Sequence, residues 1–80
     1  MKKIEICRII EDCLKLKKGS INENTKSSDV EEWDSLGQIS IVMFLDKKYN
    51  DITKDNPSYM TASSIADFYE AGLKNVDYIE

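Results

Sequence analysis

Histidine is absent from this chain of 80 residues. Its absence removes the usual general base near neutral pH, and with it the Ser-His and Cys-His pairs that activate side-chain nucleophiles. Carboxylate or lysine chemistry stays formally open, but nothing in the sequence arranges it. Cysteine is scarce. Cys7 and Cys13 are the only two, six positions apart, which on one helix is well over a turn, so they are not expected to pair. Two thiols without a histidine make a poor zinc set. The plain expectation is small apolar residues on a helix, so neither a catalytic nor a metal-ligating set is predicted.

No stretch approaches the roughly 20 apolar residues that a membrane-spanning helix needs. The opening Met1-Lys2-Lys3-Ile4-Glu5 is basic, but Glu5, Arg8 and Glu11 interrupt any apolar run of the kind a signal peptide carries. The cytoplasm is the default address. Eighty residues suffice for one domain, 1–80, and not for two. A domain of that size buries only about 60 to 65 per cent of the surface its unfolded chain exposes, which leaves little room to enclose a complete active site.

The net charge of −4 is unevenly spread. Residues 1–18 hold six Lys or Arg against three acids, a balance of +3. Residues 19–46 hold one Lys against six acids, a balance of −5, and residues 47–80 hold four Lys against six acids, a balance of −2. The acidic middle suits basic partners and disfavours nucleic acid. The basic opening has interspersed acids and no interleaved aromatics, so it reads as a solvated helix face.

Periodicity predicts helices and no strands. Ile6, Ile9, Ile10, Cys13 and Leu14 recur at spacings of three and four, which predicts a first helix from about Lys3 to Leu16, ended by Gly19 with Lys15, Lys17 and Lys18 near its negative end. From Ser20 to Trp33 the chain is polar, with Ile21, Val30 and Trp33 as isolated apolar pins. A second helix should begin at Asp34 or Ser35, with Asp34 as N-cap, and run to about Tyr49. It is apolar nearly all round (Leu36, Ile39, Ile41, Val42, Met43, Phe44, Leu45). Such a helix either sits in the centre of a core or offers one side to a partner. Residues 50–60 read as irregular, with an Asn56-Pro57 turn and room for one short helical turn. A last helix should follow Thr61 as N-cap and reach about Leu73, with Ala62, Ile65, Phe68 and Tyr69 on its apolar face and Gly72 near its end. The predicted fold class is all-α.

The residues that carry chemistry lie where the acidic loop meets the apolar helix, at Trp33-Asp34-Ser35-Leu36-Gly37. A serine in the first helical turn sits where unpaired backbone N–H groups and the positive helix end converge, so a phosphate attached there is electrostatically favoured. On these residues alone, ordinary helix capping by an Asp-Ser pair is the better explanation.

The segment Trp33 to Tyr49, WDSLGQISIVMFLDKKY, resembles the signature of acyl carrier proteins, in which Asp-Ser-Leu opens the second helix. The likeness runs over nearly the whole chain and includes the closing Met60-Thr61-Ala62-Ser63-Ser64-Ile65-Ala66-Asp67-Phe68, similar to the family's last helix. The resemblance implies a small four-helix bundle: three main helices and a short connecting one. It implies a non-enzymatic monomer whose Ser35 accepts 4'-phosphopantetheine from coenzyme A through a phosphodiester, in a reaction catalysed by a phosphopantetheinyl transferase. Asp34 would help that transferase engage the site. Leu36 and Met43 match apolar positions that face partners or the root of the arm. The arm's terminal thiol, and neither Cys7 nor Cys13, would carry the cargo as a thioester. Acyl-activating and acyl-transferring enzymes would be the partners, and Asp29, Glu31, Glu32 and Asp34 offer charge for their basic surfaces. A carrier of this kind raises the effective concentration of cargo at successive enzymes and lowers no barrier itself.

Two features depart from housekeeping fatty-acid carriers. Trp33 stands where they have a small residue, and Asp46 is the only acid of the second helix, followed by Lys47 and Lys48. Both favour a dedicated carrier in a specialised pathway, for a surface sugar, a lipid or a secondary metabolite. An aminoacyl or peptidyl carrier would use the same Ser35. An unmodified helical interaction module, with Ser35 only a cap residue, is the reading from another class. A small independent enzyme is disfavoured for want of a catalytic pair.

Overall fold

The computed structural model describes residues 1–79. Four helices occur in the order α1 (Lys3–Leu14), α2 (Ser35–Lys48), α3 (Ser58–Thr61) and α4 (Ile65–Ala71), with 3-10 turns at Ser27–Asp29 and Leu73–Asn75. Among the described residues there is no strand, only an isolated antiparallel bridge between Lys26 and Ser64. The fold is a small all-α bundle.

One contiguous core holds the elements together. Ile6, Cys7, Ile9 and Ile10 of α1 meet Ile41 and Leu45 of α2, Tyr59 of α3, Ile65 and Phe68 of α4, and Leu73. The apolar spacing that predicts α1 is therefore its buried face, and both thiols are free. Trp33 completes the centre, its ring 5.9 Å from that of Phe68, which in turn lies 6.4 Å from Tyr59. Aromatic rings at these separations pack favourably in tilted arrangements.

The first helix ends two residues earlier than its periodicity predicts. Lys15, not Gly19, turns the chain, taking the left-handed conformation at φ 59°. The Leu16 N–H then donates back to the Glu11 carbonyl at 2.8 Å, a wrapped helix end of the kind that satisfies orphan carbonyls. Lys17 and Lys18 consequently lie beyond the helix. The cause is Glu11, a buried carboxylate that accepts from Arg8 Nη1 (3.0 Å), the Gly19 N–H (2.9 Å) and the Ile21 N–H (3.3 Å). Buried charge is tolerated only when paired and hydrogen-bonded in this way. Gly19, at φ 86°, supplies the turn that brings its own N–H to that carboxylate.

The long polar loop is held as its pins predict, with Ile21 and Trp33 buried and Val30 half-buried. It is also stitched to the α3–α4 connection. Ser27 N–H donates to the Ser63 carbonyl at 2.7 Å and Ile65 N–H to the Thr25 carbonyl at 3.1 Å. That stitching fixes the start of α4. Thr61 is drawn into the turn of α3, its hydroxyl 3.4 Å from the Ser58 carbonyl. Ser64, in extended backbone, takes the N-cap position expected of Thr61 and accepts the Asp67 N–H at 3.0 Å. The last helix stops at Ala71 rather than Leu73, at Gly72 with φ 154°. A Cβ at Gly72 would run into the Tyr59 hydroxyl. Among the described residues no helix is long and apolar enough to cross a membrane.

Candidate functional site

The head of α2 is built by Asp34. Its backbone is extended (φ −93°, ψ −164°), and its Oδ1 accepts the Gly37 N–H at 2.8 Å, so the predicted N-cap is the observed one. Side-chain capping takes up one of the four N–H groups that a helix start leaves unpaired. Ser35 is therefore the first helical residue and is exposed. Among the described residues its hydroxyl has no hydrogen-bond partner. Asp34 does the capping, and the Ser35 hydroxyl is left exposed.

Two residues to which the sequence assigns no role of their own set this geometry. Gly37 is buried where the loop backbone crosses the first turn of α2. A Cβ there would collide with the Glu32 carbonyl oxygen and lie 3.3 Å from Leu14 Cδ2. Gln38 links three segments: its Oε1 accepts the Trp33 indole N–H at 2.8 Å, and its Nε2 donates to the Tyr59 and Met60 carbonyls, each at 3.2 Å. A side chain of α2 thus ties the loop to α3. The one sequence signal for Gly37 is a glycine inside an otherwise apolar helix, where it costs stability relative to alanine and so points to a packing reason. Gln38 carries no such mark.

Around Ser35 lies an open groove of ≈ 540 Å³ between α2 and α3. Trp33, Ile39, Met60 and Ala62 give it apolar surface, and Ser27 and Ser63 stand among its polar lining residues. The outer face of α2 continues the apolar surface. Leu36 is 74% exposed, Ile39 51% and Met43 64%, while Ile41, Val42 and Leu45 on the other side are buried. Positions 36, 39 and 43 share one helix face, and Met43 lies about 10 Å along the axis from Leu36. Of the two dispositions open to an apolar helix, α2 adopts the one that leaves a side uncovered.

The predicted acidic residues divide. Asp29, Glu31 and Glu32 are exposed on the loop just before Asp34. Asp29 also serves the local 3-10 turn, its Oδ2 accepting the Lys26 N–H at 3.0 Å. Asp46 is used internally, with Oδ1 accepting the Thr53 N–H at 2.8 Å and the Thr53 hydroxyl at 2.6 Å. The outer face of α2 accordingly carries no uncommitted acid, and Lys47 and Lys48 close its last turn. Negative charge near Ser35 comes from the loop.

Burial pushes the Cys7 thiol up to about 11, reinforced by the Glu11 carboxylate, and burial also raises Cys13. Both are poor thiolates near neutral pH. Among the described residues no group of three or more His, Cys, Asp or Glu could hold a metal ion. No family model matches the chain, and neither a curated protein nor a solved structure does.

Proposed function

We propose that the chain is a carrier protein whose Ser35 hydroxyl is the attachment point for a 4'-phosphopantetheine arm. The observation that carries this reading is the exposed, unpartnered Ser35 hydroxyl at the head of α2, with Asp34 alone acting as cap. The residues fit the group. A phosphodiester at Ser35 would face the positive end of a 14-residue helix, and the adjoining groove offers Ile39 and Met60 to apolar parts of an arm and the Ser27 and Ser63 hydroxyls to its polar parts. When bound, the arm supplies a terminal thiol that holds an acyl group as a thioester.

The chain's own contribution is to hold Ser35 where a phosphopantetheinyl transferase can reach it and to present one surface to successive enzymes. Asp34 keeps the first turn of α2 formed and stands beside the hydroxyl during transfer from coenzyme A. Leu36 and Met43 give partners an apolar strip, and Asp29, Glu31 and Glu32 steer basic ones toward it. Acyl-activating and acyl-transferring enzymes are the partners of such a carrier, which we place in the cytoplasm as a monomer. Trp33 and the internally committed Asp46 favour a dedicated carrier in a specialised pathway; an aminoacyl or peptidyl cargo would use the same Ser35.

The exposed strip of Leu36, Ile39 and Met43 also favours a second reading, an unmodified helical interaction module. Substitution of the serine separates the two. Incubated with coenzyme A, magnesium and a promiscuous transferase, the chain is expected to gain one phosphopantetheine by intact mass, and Ser35→Ala to gain none while melting within about 1–2 °C of the parent. An Ser35→Ala chain that still takes the arm, or that unfolds, would contradict the exposed-hydroxyl site.

A further inference from the structure

We infer that the Trp33–Gln38 latch closes the interior of the bundle to the cargo, so that this chain carries its acyl group outside the core and suits short acyl groups, not long alkyl chains. The inference rests on the carrier reading of Ser35.

A chain anchored at Ser35 could reach the interior through the groove between α2 and α3. Trp33 and Gln38 both line that groove, and they are bonded to each other and to its far wall. The Trp33 indole N–H donates to Gln38 Oε1 at 2.8 Å, while Gln38 Nε2 donates to the carbonyls of Tyr59 and Met60. Behind them the space is occupied: Trp33 is buried against Phe68, and Phe68 against Tyr59, with Ile41, Leu45 and Ile65 fully buried around them. Interiors packed in this way have no room for an added alkyl chain without displacing side chains. Entry would break three hydrogen bonds together and strip the indole N–H of its acceptor, and a polar group left unmade inside a protein is costly.

A cargo kept outside meets a different surface. Each methylene of a long chain left in water is unfavourable, so an unsheltered alkyl cargo would be a poor match. A short acyl group has few methylenes to hide. The open groove outside the latch, lined by Ile39, Met60 and Ala62 as well as by Ser27, Thr61 and Ser63, has room for a short acyl group but does not enclose a long one.

The test uses the full chain, a promiscuous transferase and acetyl-, butyryl-, octanoyl- and dodecanoyl-coenzyme A, with the acyl-arm mass confirmed on each product. Melting temperature and the rate of thioester cleavage by hydroxylamine are then compared. In the parent chain both are expected to be independent of acyl length, within about 1 °C and about twofold. In Gln38→Ala both should become length-dependent, with octanoyl and dodecanoyl raising the melting point and slowing cleavage. If that variant does not fold, Trp33→Phe keeps the ring and removes only the N–H donor. A parent chain that melts several degrees higher and protects its thioester about tenfold better with longer acyl groups would overturn the inference. Flat profiles in both parent and variant would overturn the role of the latch. Failure to add any acyl arm shows in the mass alone and removes the carrier reading together with the inference.

Discussion

At the scale of single residues, Gly37 is where two effects of opposite sign meet. Alanine is favoured over glycine inside a helix by about 1 kcal/mol, so Gly37→Ala ought to stabilise α2 if propensity decided the matter. The Cβ would collide with the Glu32 carbonyl, which is backbone and cannot rotate aside. Overpacking of this kind costs about 1–3 kcal/mol, so urea denaturation is expected to find Gly37→Ala less stable than the parent. A more stable variant would mean that the loop before Ser35 does not press on the helix. The thiols give a second residue-scale expectation. With Cys7 raised to about 11 by burial and Cys13 also raised, neither should react quickly with a disulfide reagent at pH 8 in the folded protein. Loading the arm should then add one fast thiol per chain, and urea should release the other two. Rapid reaction of both thiols in the unloaded, folded chain would contradict the burial of Cys7, since only Cys13 is partly exposed.

Among the elements, α2 was legible in the sequence and the ends of α1 and α4 were not. The difference is the range of the forces that set each boundary. Asp34 caps its own helix three residues away, so local chemistry fixes the start of α2. The end of α1 depends on Glu11 collecting N–H groups from Gly19 and Ile21. The N-cap of α4 is Ser64 and not the expected Thr61, both of them hydroxyl residues able to cap, with serine the somewhat better of the two. The loop decided it from far away, through Ser27 and Thr25. At the candidate site the same division holds: Ser35 and Asp34 could be read from their neighbours, whereas Gln38 acquires its role only when α3 is brought beside α2. The start of α4 also carries a pH signature. Ser63, through its N–H and its hydroxyl, donates to Asp67 Oδ2 and, with the Ser64 hydroxyl, holds the Asp67 carboxyl below its ordinary value of 3.8. A carboxyl depressed in the folded state contributes stability fully above its unfolded value and loses it as pH falls through the folded one. The stability difference between the parent and Asp67→Asn should therefore be largest near neutrality and shrink below about pH 4. A difference unchanged down to about pH 2 would show that the charge of Asp67 plays no part in holding α4.

For the whole molecule, the absence of histidine, the small core and the free serine agree with one another. Among the described residues the interior is filled by Trp33, Tyr59 and Phe68, and the carrier proposed here needs no enclosed site. What it needs is a stable platform, one reachable hydroxyl and a surface that partners can recognise. The head of α2 and its exposed strip supply the last two, and the packing of α1, α2 and α4 supplies the first. The most direct test is the intact mass of the folded chain after incubation with coenzyme A, magnesium and a promiscuous phosphopantetheinyl transferase, with peptide mapping of the product. A gain of one phosphopantetheine mapped to Ser35 is the predicted result. An unchanged mass in a chain whose helical fold is verified in the same sample would contradict the carrier function and leave an unmodified docking module in its place.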